Sequence, residues 1–268
     1  MVSENQLWLA LAIGNSRWHW ALFDGEILKQ SWDSDRLLEK NGDLGRLEGT
    51  LGDKNQLVST ALSQLRKAKT DRPLPLVLAS VVPQQTALWQ NYPDLRIITL
   101  EKLPLKGLYP TLGIDRALAV LGAGRVLGWP VLAIDAGTAL TFTGGDVNGH
   151  LVGGAILPGL KLQLSSLAEK TAALPSLELP AKLPQRWARN TPEAIYSGAI
   201  YTTLAGIRDY IEAWQQQFPE SAIALTGGDR ELLLLYLQEI FPNLAAKIID
   251  APHLLFWGMR ETKEHVTS

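Results

Sequence analysis

Asp115 stands in Gly113-Ile114-Asp115-Arg116, just ahead of a stretch patterned as a helix. A carboxylate there has two uses. It can cap the helix by accepting backbone N–H bonds, the commonest reason for Asp at such a place. It can also take a proton from a hydroxyl, while the Arg116 guanidinium holds an acidic substrate. Arg116, on the plainer view, is simply solvated. A second acid, Asp135, closes an apolar run and opens Asp135-Ala136-Gly137-Thr138. It suits a cation that balances phosphate charge, or it pins its own turn through backbone bonds. Those two roles are compatible.

Two turns have the makings of phosphate sites. A phosphate-binding turn needs backbone N–H groups pointing one way and no side chain in the approach, with a hydroxyl as an extra donor. Gly14-Asn15-Ser16 and Gly137-Thr138 both answer to this, and each is also what an ordinary hairpin would carry. Thr226-Gly227-Gly228-Asp229, between a strand and a helix, is a further candidate for nucleotide contact, or a connecting loop capped by Asp229.

Other chemistries are excluded or weakened. The chain contains no cysteine, so disulfides, thiolate metal sites and a cysteine nucleophile are ruled out. No Gly-Lys pair exists, hence no G-x-x-x-x-G-K loop. Gly122-Ala123-Gly124 with Gly128 resembles a dinucleotide fingerprint, but its last spacing is one residue too long. It lies late in a helical stretch, where small residues serve close packing. His19, His150, His253 and His265 show no zinc spacing, and no G-x-S-x-G elbow is present. A net charge of −2 supplies no general field for nucleic acid or anionic lipid. The opening apolar run, Leu7 to Ile13, is too short to span a bilayer and lacks a basic lead-in, so it reads as a buried strand.

The elements that must position these residues follow from pattern. Leu7 to Ile13, Trp18 to Phe23 and Ile27 to Trp32 read as an antiparallel meander, with Asp24-Gly25 as a hairpin turn. A helical pattern is strongest from Leu57 to Ala68. Pro75 to Val82 and Leu95 to Leu100 read as strands. Ile114 to Leu127 is a helix, Pro130 to Ile134 a strand, and Ala139 to Thr143 another, ended by a Gly144-Gly145 turn. His150 to Ile156 is a strand, Pro158-Gly159 opens a helix to about Leu167, and Pro192 to Gln217 is a long helix. Ile223 to Leu225 is a strand, followed by a helix from about Glu231. The nine tryptophans are scattered; Trp18 and Trp20 share one strand face and pack in a core or an interface. Strand, glycine turn and resumed strand occur at 7–23 and again at 130–143, with Ala12-Ile13-Gly14-Asn15-Ser16 set against Asp135-Ala136-Gly137-Thr138-Ala139. Two related α/β halves, 1–112 and 113–268, facing one another across a ligand cleft, account for this echo.

Taken together, the chain resembles the type III pantothenate kinases of the superfamily that includes acetate kinase, sugar kinases and actin. IGNS with RWHWALF, from Ile13 to Phe23, looks like the family's first phosphate motif, and GIDR at Gly113 like its pantothenate motif. DAGTALT at Asp135 is similar to its second phosphate motif, and GGAILPG at Gly153 to its interface motif. RNTPEAIYSG at Arg189 resembles a substrate-contact segment, and TGGD at Thr226 a late nucleotide-side loop.

The resemblance implies an α/β fold of two actin-like ATPase (ribonuclease H-like) lobes with the active site in the cleft. It implies ATP-dependent phosphorylation of pantothenate in coenzyme A biosynthesis by a cytoplasmic homodimer, without nucleic acid or membrane. Asp115 corresponds to the catalytic base. Ile13, Gly14, Asn15, Ser16, Arg17, Gly137 and Thr138 correspond to ATP contacts. Tyr109, Gly113, Ile114, Asp115, Arg116 and Thr191 correspond to substrate contacts. Asp135 matches the ligand of an activating monovalent cation, K⁺ or NH₄⁺, and ATP would enter with Mg²⁺. Two positions depart from the family pattern. Ala12 stands where Asp is usual, and His19 where many members carry Lys. The alternatives are a catalytically weakened nucleotide-binding relative with a regulatory role, or a kinase for another small alcohol.

Overall fold

Leu7–Ile13 forms β1, Arg17–Asp24 forms β2 and Ile27–Asp35 forms β3 of the first sheet. The computed structural model describes residues 7–35 and 74–262; the helix expected within 57–68 lies outside them. From Trp8 onward every residue of β1 is buried, as befits a central strand covered on both faces, which reads as an unbroken apolar run. The chain reverses at Asp24-Gly25, where Gly25 takes φ +59°, a conformation glycine adopts without steric cost. Leu76–Ser80 forms β4, parallel to β1, and is closed by the short helix α1, Pro83–Thr86. Leu95–Ile97 forms β5 and stops earlier than expected, since Leu100–Lys102 winds into a 3₁₀ turn.

One face of this sheet packs Leu9, Leu11, Ile13, Trp18, Trp20, Leu22, Leu76, Leu78 and Trp89. Trp18 and Trp20 share that face as strand alternation requires, with ring centroids 6.4 Å apart. Burying a side chain such as Leu11 or Ile13 contributes about 1.5–3 kcal/mol, so the tryptophans serve a core.

Residues 100–262 pack as a second unit. The segment ahead of Asp115 belongs to it rather than to the first half, because Lys106 N donates to Gly149 O (3.3 Å) and Lys106 O accepts from Leu151 N (2.8 Å). The strands are β6 Val131–Ala136, β7 Ala139–Gly145, β8 Leu151–Pro158, β9 Ala222–Thr226 and β10 Ile248–Asp250. The helices are α2 Ile114–Leu127, α3 Leu160–Lys170, α4 Thr191–Gln217, α5 Arg230–Ile240, α6 Pro242–Ala245 and α7 Leu254–Thr262. The sheet order β8-β7-β6-β9-β10 repeats β3-β2-β1-β4-β5. In each sheet a hairpin leads off the central strand and a parallel strand flanks its other side. The duplication read from the two glycine turns is thus present in the sheets.

One face of the second sheet carries Leu132, Ile134, Leu140 and Phe142 against Ile200, Leu204, Ile207 and Ile211 of α4. The other face, with Ala133, Asp135, Thr141 and Thr143, lies under α2. Helix α2 is buried from Ala117 to Gly124, the mark of a helix enclosed on all sides. A Cβ on Gly122 would collide with Leu254 O, and one on Gly258 with Leu118 O. These glycines therefore let α2 and α7 touch backbone to backbone, and the dinucleotide fingerprint has no role. Gly144 and Gly145 correct another expectation. They are strand residues of β7, glycine because the Trp214 and Trp129 rings fill the space their side chains would need.

Candidate active site

The first hairpin turn is closed by a bond from Gly14 N to Arg17 O (3.0 Å). Asn15, Ser16 and Arg17 are exposed there, whereas the Ile13 side chain is sealed in the core, leaving only its backbone for a ligand. Ile13 O already accepts from Val81 N at 3.1 Å. Ala12 is buried and pairs across the strands with His19, which pairs in turn with Asp33. His19 Nδ1 lies 2.7 Å from Asp33 Oδ1, and Arg17 Nη1 lies 3.7 Å from Asp33 Oδ2. The His19 bond, reinforced by the charges of His19 and Arg17, holds the Asp33 carboxyl below the usual carboxylate range despite partial burial. Sequence reading passed over Asp33; only the strand register brings it beside His19.

The second hairpin turn is more tightly held. Gly137 N donates to Ala139 O (3.0 Å), Gly159 N to Thr138 O (2.9 Å), and Asp229 N to Ala136 O (2.9 Å). Asp135 is half-buried, and its Oδ1 would lie 2.5 Å from a Cβ on Gly227 and 3.8 Å from one on Gly137. The carboxylate therefore sits between the two glycine turns. Gly227 takes φ +93°, so glycine there meets both a backbone and a space requirement. Asp229 does not cap α5 with its side chain. Its Oδ1 instead accepts from Lys161 Nζ at 2.7 Å, tying the start of α3 to the TGGD loop. Thr138 is exposed beside this clamp.

Asp115 occupies the first turn of α2, and the N-cap residue is Gly113. Asp115 is thus not the N-cap residue, but its Oδ1 accepts a backbone N–H of the first turn, that of the neighbouring Arg116, at 2.8 Å. Arg116 is buried, not solvated. Its Nε donates to Thr143 Oγ1 (3.1 Å), Nη1 to Tyr109 OH (3.1 Å) and Nη2 to Phe142 O (3.0 Å). Three of the guanidinium's five N–H donors are used among the described residues, which leaves two for a ligand. Exposed Gly154 lies beside Nη2, and a side chain there would collide with it. Thr143 and Gly154 are contributors that sequence reading missed, since their value depends on strand pairing.

Tyr109, Asp115 and Arg116 are therefore brought together. Ile114 is buried, so its side chain serves the core. Thr191 opens α4, whose N-cap Asn190 accepts from Glu193 N at 3.0 Å. Thr191 lines an open groove of about 1100 Å³ with Gln163, Lys170 and Arg189, whose lining does not include Asp115, Arg116 or Tyr109. Asp135 and Thr143 rise from the same sheet face. Their paired rows, Asp135–Thr141 and Ala133–Thr143, are two residues apart, roughly 7 Å along the strand. A cation-suited carboxylate and an anion-suited guanidinium thus share one surface.

Among the described residues no group of three or more His, Asp or Glu side chains is arranged to hold a metal ion. Mg²⁺ held mainly by nucleotide phosphates asks for only one or two protein carboxylates, and a monovalent ion for oxygen donors. The Asp135 carboxylate, set among the backbone of two turns, fits such a demand.

Comparison with known proteins bears on the family and the fold. A family model described as type III pantothenate kinase matches residues 8–213. A type III pantothenate kinase of Nostoc sp. is 54% identical, covering 96% of this chain and 94% of its own length. That of Synechocystis sp. is 46% identical, covering 94% and 88%. Among solved structures, a Baf family transcriptional activator from Campylobacter jejuni superposes with a TM-score of 0.60 at 19% identity, covering 96% of this chain and 97% of that one. The activator of the 2-hydroxyisocaproyl-CoA dehydratase from Clostridium difficile gives 0.51 at 10%, covering 97% and 94%. These structures fix the fold as that of the actin-like ATPases. The sequence matches go further: this chain belongs to the type III pantothenate kinase family.

Proposed function

We propose that this chain transfers the γ-phosphoryl group of ATP to the primary hydroxyl of pantothenate, the phosphorylation that serves coenzyme A biosynthesis. The observation that carries it is the presence, at the start of one helix in a member of this family, of the Asp115 carboxylate on the Arg116 backbone N–H and of the buried Arg116 guanidinium. The hydroxyl oxygen attacks phosphorus in line. A new O–P bond forms, the O–P bond to the departing ADP breaks, and the hydroxyl proton passes to Asp115. Phosphoryl transfer needs little covalent help from protein, so positioning and charge neutralisation carry most of the acceleration.

Arg116, held by Thr143 and Tyr109, offers its two remaining donors to the substrate carboxylate. Gly137 and Thr138 present backbone and hydroxyl donors to the phosphates, and Ile13, Gly14, Asn15, Ser16 and Arg17 supply further ATP contacts. Thr191 is a further pantothenate contact. Asp135 would hold the monovalent cation, whose charge, with that of Mg²⁺ on ATP, would offset the phosphate oxygens. A homodimer is supported by the exposed apolar residues Val152 and Ile156 on β8. A cytoplasmic setting is supported by the cysteine-free sequence. No helix among the described residues is long and apolar enough to cross a membrane.

ADP release measured with ATP and a panel of small alcohols, with and without K⁺, tests the assignment. Turnover confined to pantothenate and raised by K⁺ is expected. Equal turnover with alcohols lacking a carboxylate would remove Arg116 from recognition. The second reading, a weakened nucleotide-binding relative, is motivated by buried Ala12, which leaves the first turn without a carboxylate at its head. A large gain of turnover in Ala12→Asp would favour that reading.

A further inference from the structure

Gly113 is glycine at a position whose backbone does not ask for one. Its φ of −62° and ψ of 131° lie in the extended region open to any residue. As the N-cap of α2 it occupies a place where Ser, Thr, Asp or Asn would add a stabilising side-chain bond, and it makes none. Space is what glycine supplies. A Cβ at 113 would overlap Asp115 Oδ1, with Arg116 Cγ at 3.9 Å and no backbone atom among its nearest neighbours. The packing glycines differ in kind: a Cβ on Gly122, Gly159 or Gly258 would run into backbone carbonyl oxygens.

We propose that Gly113 is a positioning residue for Asp115. By lacking a side chain it lets the carboxylate fold back against the start of α2, where Oδ1 accepts from Arg116 N. Oδ2 is then turned to the substrate proton. The obstacle a methyl group meets is the rotatable end of a side chain, so the protein accommodates Gly113→Ala by swinging the carboxylate away. Folding is kept and the base is displaced. This inference rests on the kinase reading above, in which Asp115 is the proton acceptor.

The test is a double-mutant cycle of Gly113→Ala and Asp115→Asn, read by kcat, KM for pantothenate, ATP affinity and Tm. Gly113→Ala should lower kcat by roughly 10- to 100-fold, the scale of a misplacement of about 1 Å. ATP affinity and Tm should stay near the wild type. In the Asp115→Asn background the same methyl should cost less than about twofold, because its effect passes through the carboxylate. An equal loss in both backgrounds would overturn the proposal, as would wild-type kcat in Gly113→Ala. A crystal structure of Gly113→Ala decides the matter even if the wild type releases no ADP with pantothenate, an outcome that defeats the kinase reading alone. A carboxylate moved off Arg116 N upholds the positioning role; one left in place refutes it.

Discussion

The two hairpin turns share one topology and differ in how they are held. The first, Gly14 to Arg17, has its own closing bond and one bond from Val81 to Ile13. Asn15, Ser16 and Arg17 are exposed, and Ala12 brings no charge. The second, Gly137 to Ala139, is clamped from Gly159 and Asp229 and has Asp135 at its head, wedged against Gly227. Counting back from the turn glycine, Ala12 and Asp135 occupy equivalent places. A duplicated fold has thus placed a carboxylate at the head of the turn, with backbone bonds from Gly159 and Asp229 beside it, in one copy. Preorganised donors around developing charge need no reorganisation during reaction, which makes the second turn the more demanding of the two.

That contrast can be broken by substitution. Asp135→Asn should reduce kcat by roughly 10²-fold or more, the cost of removing one electrostatic stabiliser. Steady-state kinetics across K⁺ concentrations would check it, and preserved activation by K⁺ would separate Asp135 from the cation. Next in size are the turn glycines. Gly227→Ala places a side chain at φ +93° and against the Ala136 carbonyl, so it should destabilise by about 2 kcal/mol or more. Gly14→Ala meets Arg17 O at 3.2 Å and, at ordinary contact distance, the His19 ring at 3.8 Å, and should cost under about 1 kcal/mol. Urea unfolding of the pair measures the difference; similar losses would erase the distinction between the turns.

The smallest effect belongs to Asp33 beside the first turn. Its folded pKa is depressed below the unfolded value, so its contribution is present above an unfolded pKa of about 3.9. It fades as pH falls through the lower folded value. The pair is half exposed and screened by water, so less than about 1 kcal/mol is at stake. Asp33→Asn should therefore lower Tm by a small, salt-sensitive amount at neutral pH and match the wild type once pH falls below the depressed folded pKa.

Legibility in the sequence followed the same divide. Helix α2 and the two hairpins were readable because apolar runs ended at glycine turns, local signals that tertiary contacts did not override. Gly144-Gly145 looked like a turn because paired glycines usually are; two tryptophan rings, distant in sequence, decide otherwise. Asp115 could be read as cap or base, and the helix begins two residues too early for Asp115 to be its N-cap. Asp33, Thr143, Gly154 and Lys161 were invisible, since each acts through a partner set by strand register or helix packing. Residue type revealed where chemistry could occur, but not which neighbours hold it.

In the proposed transfer the Asp115 carboxylate accepts the pantothenate hydroxyl proton, and replacing that single group tests this most directly. ADP release should fall by about 10²–10⁴-fold in Asp115→Asn, with ATP affinity unchanged. Wild-type turnover in that variant would contradict it.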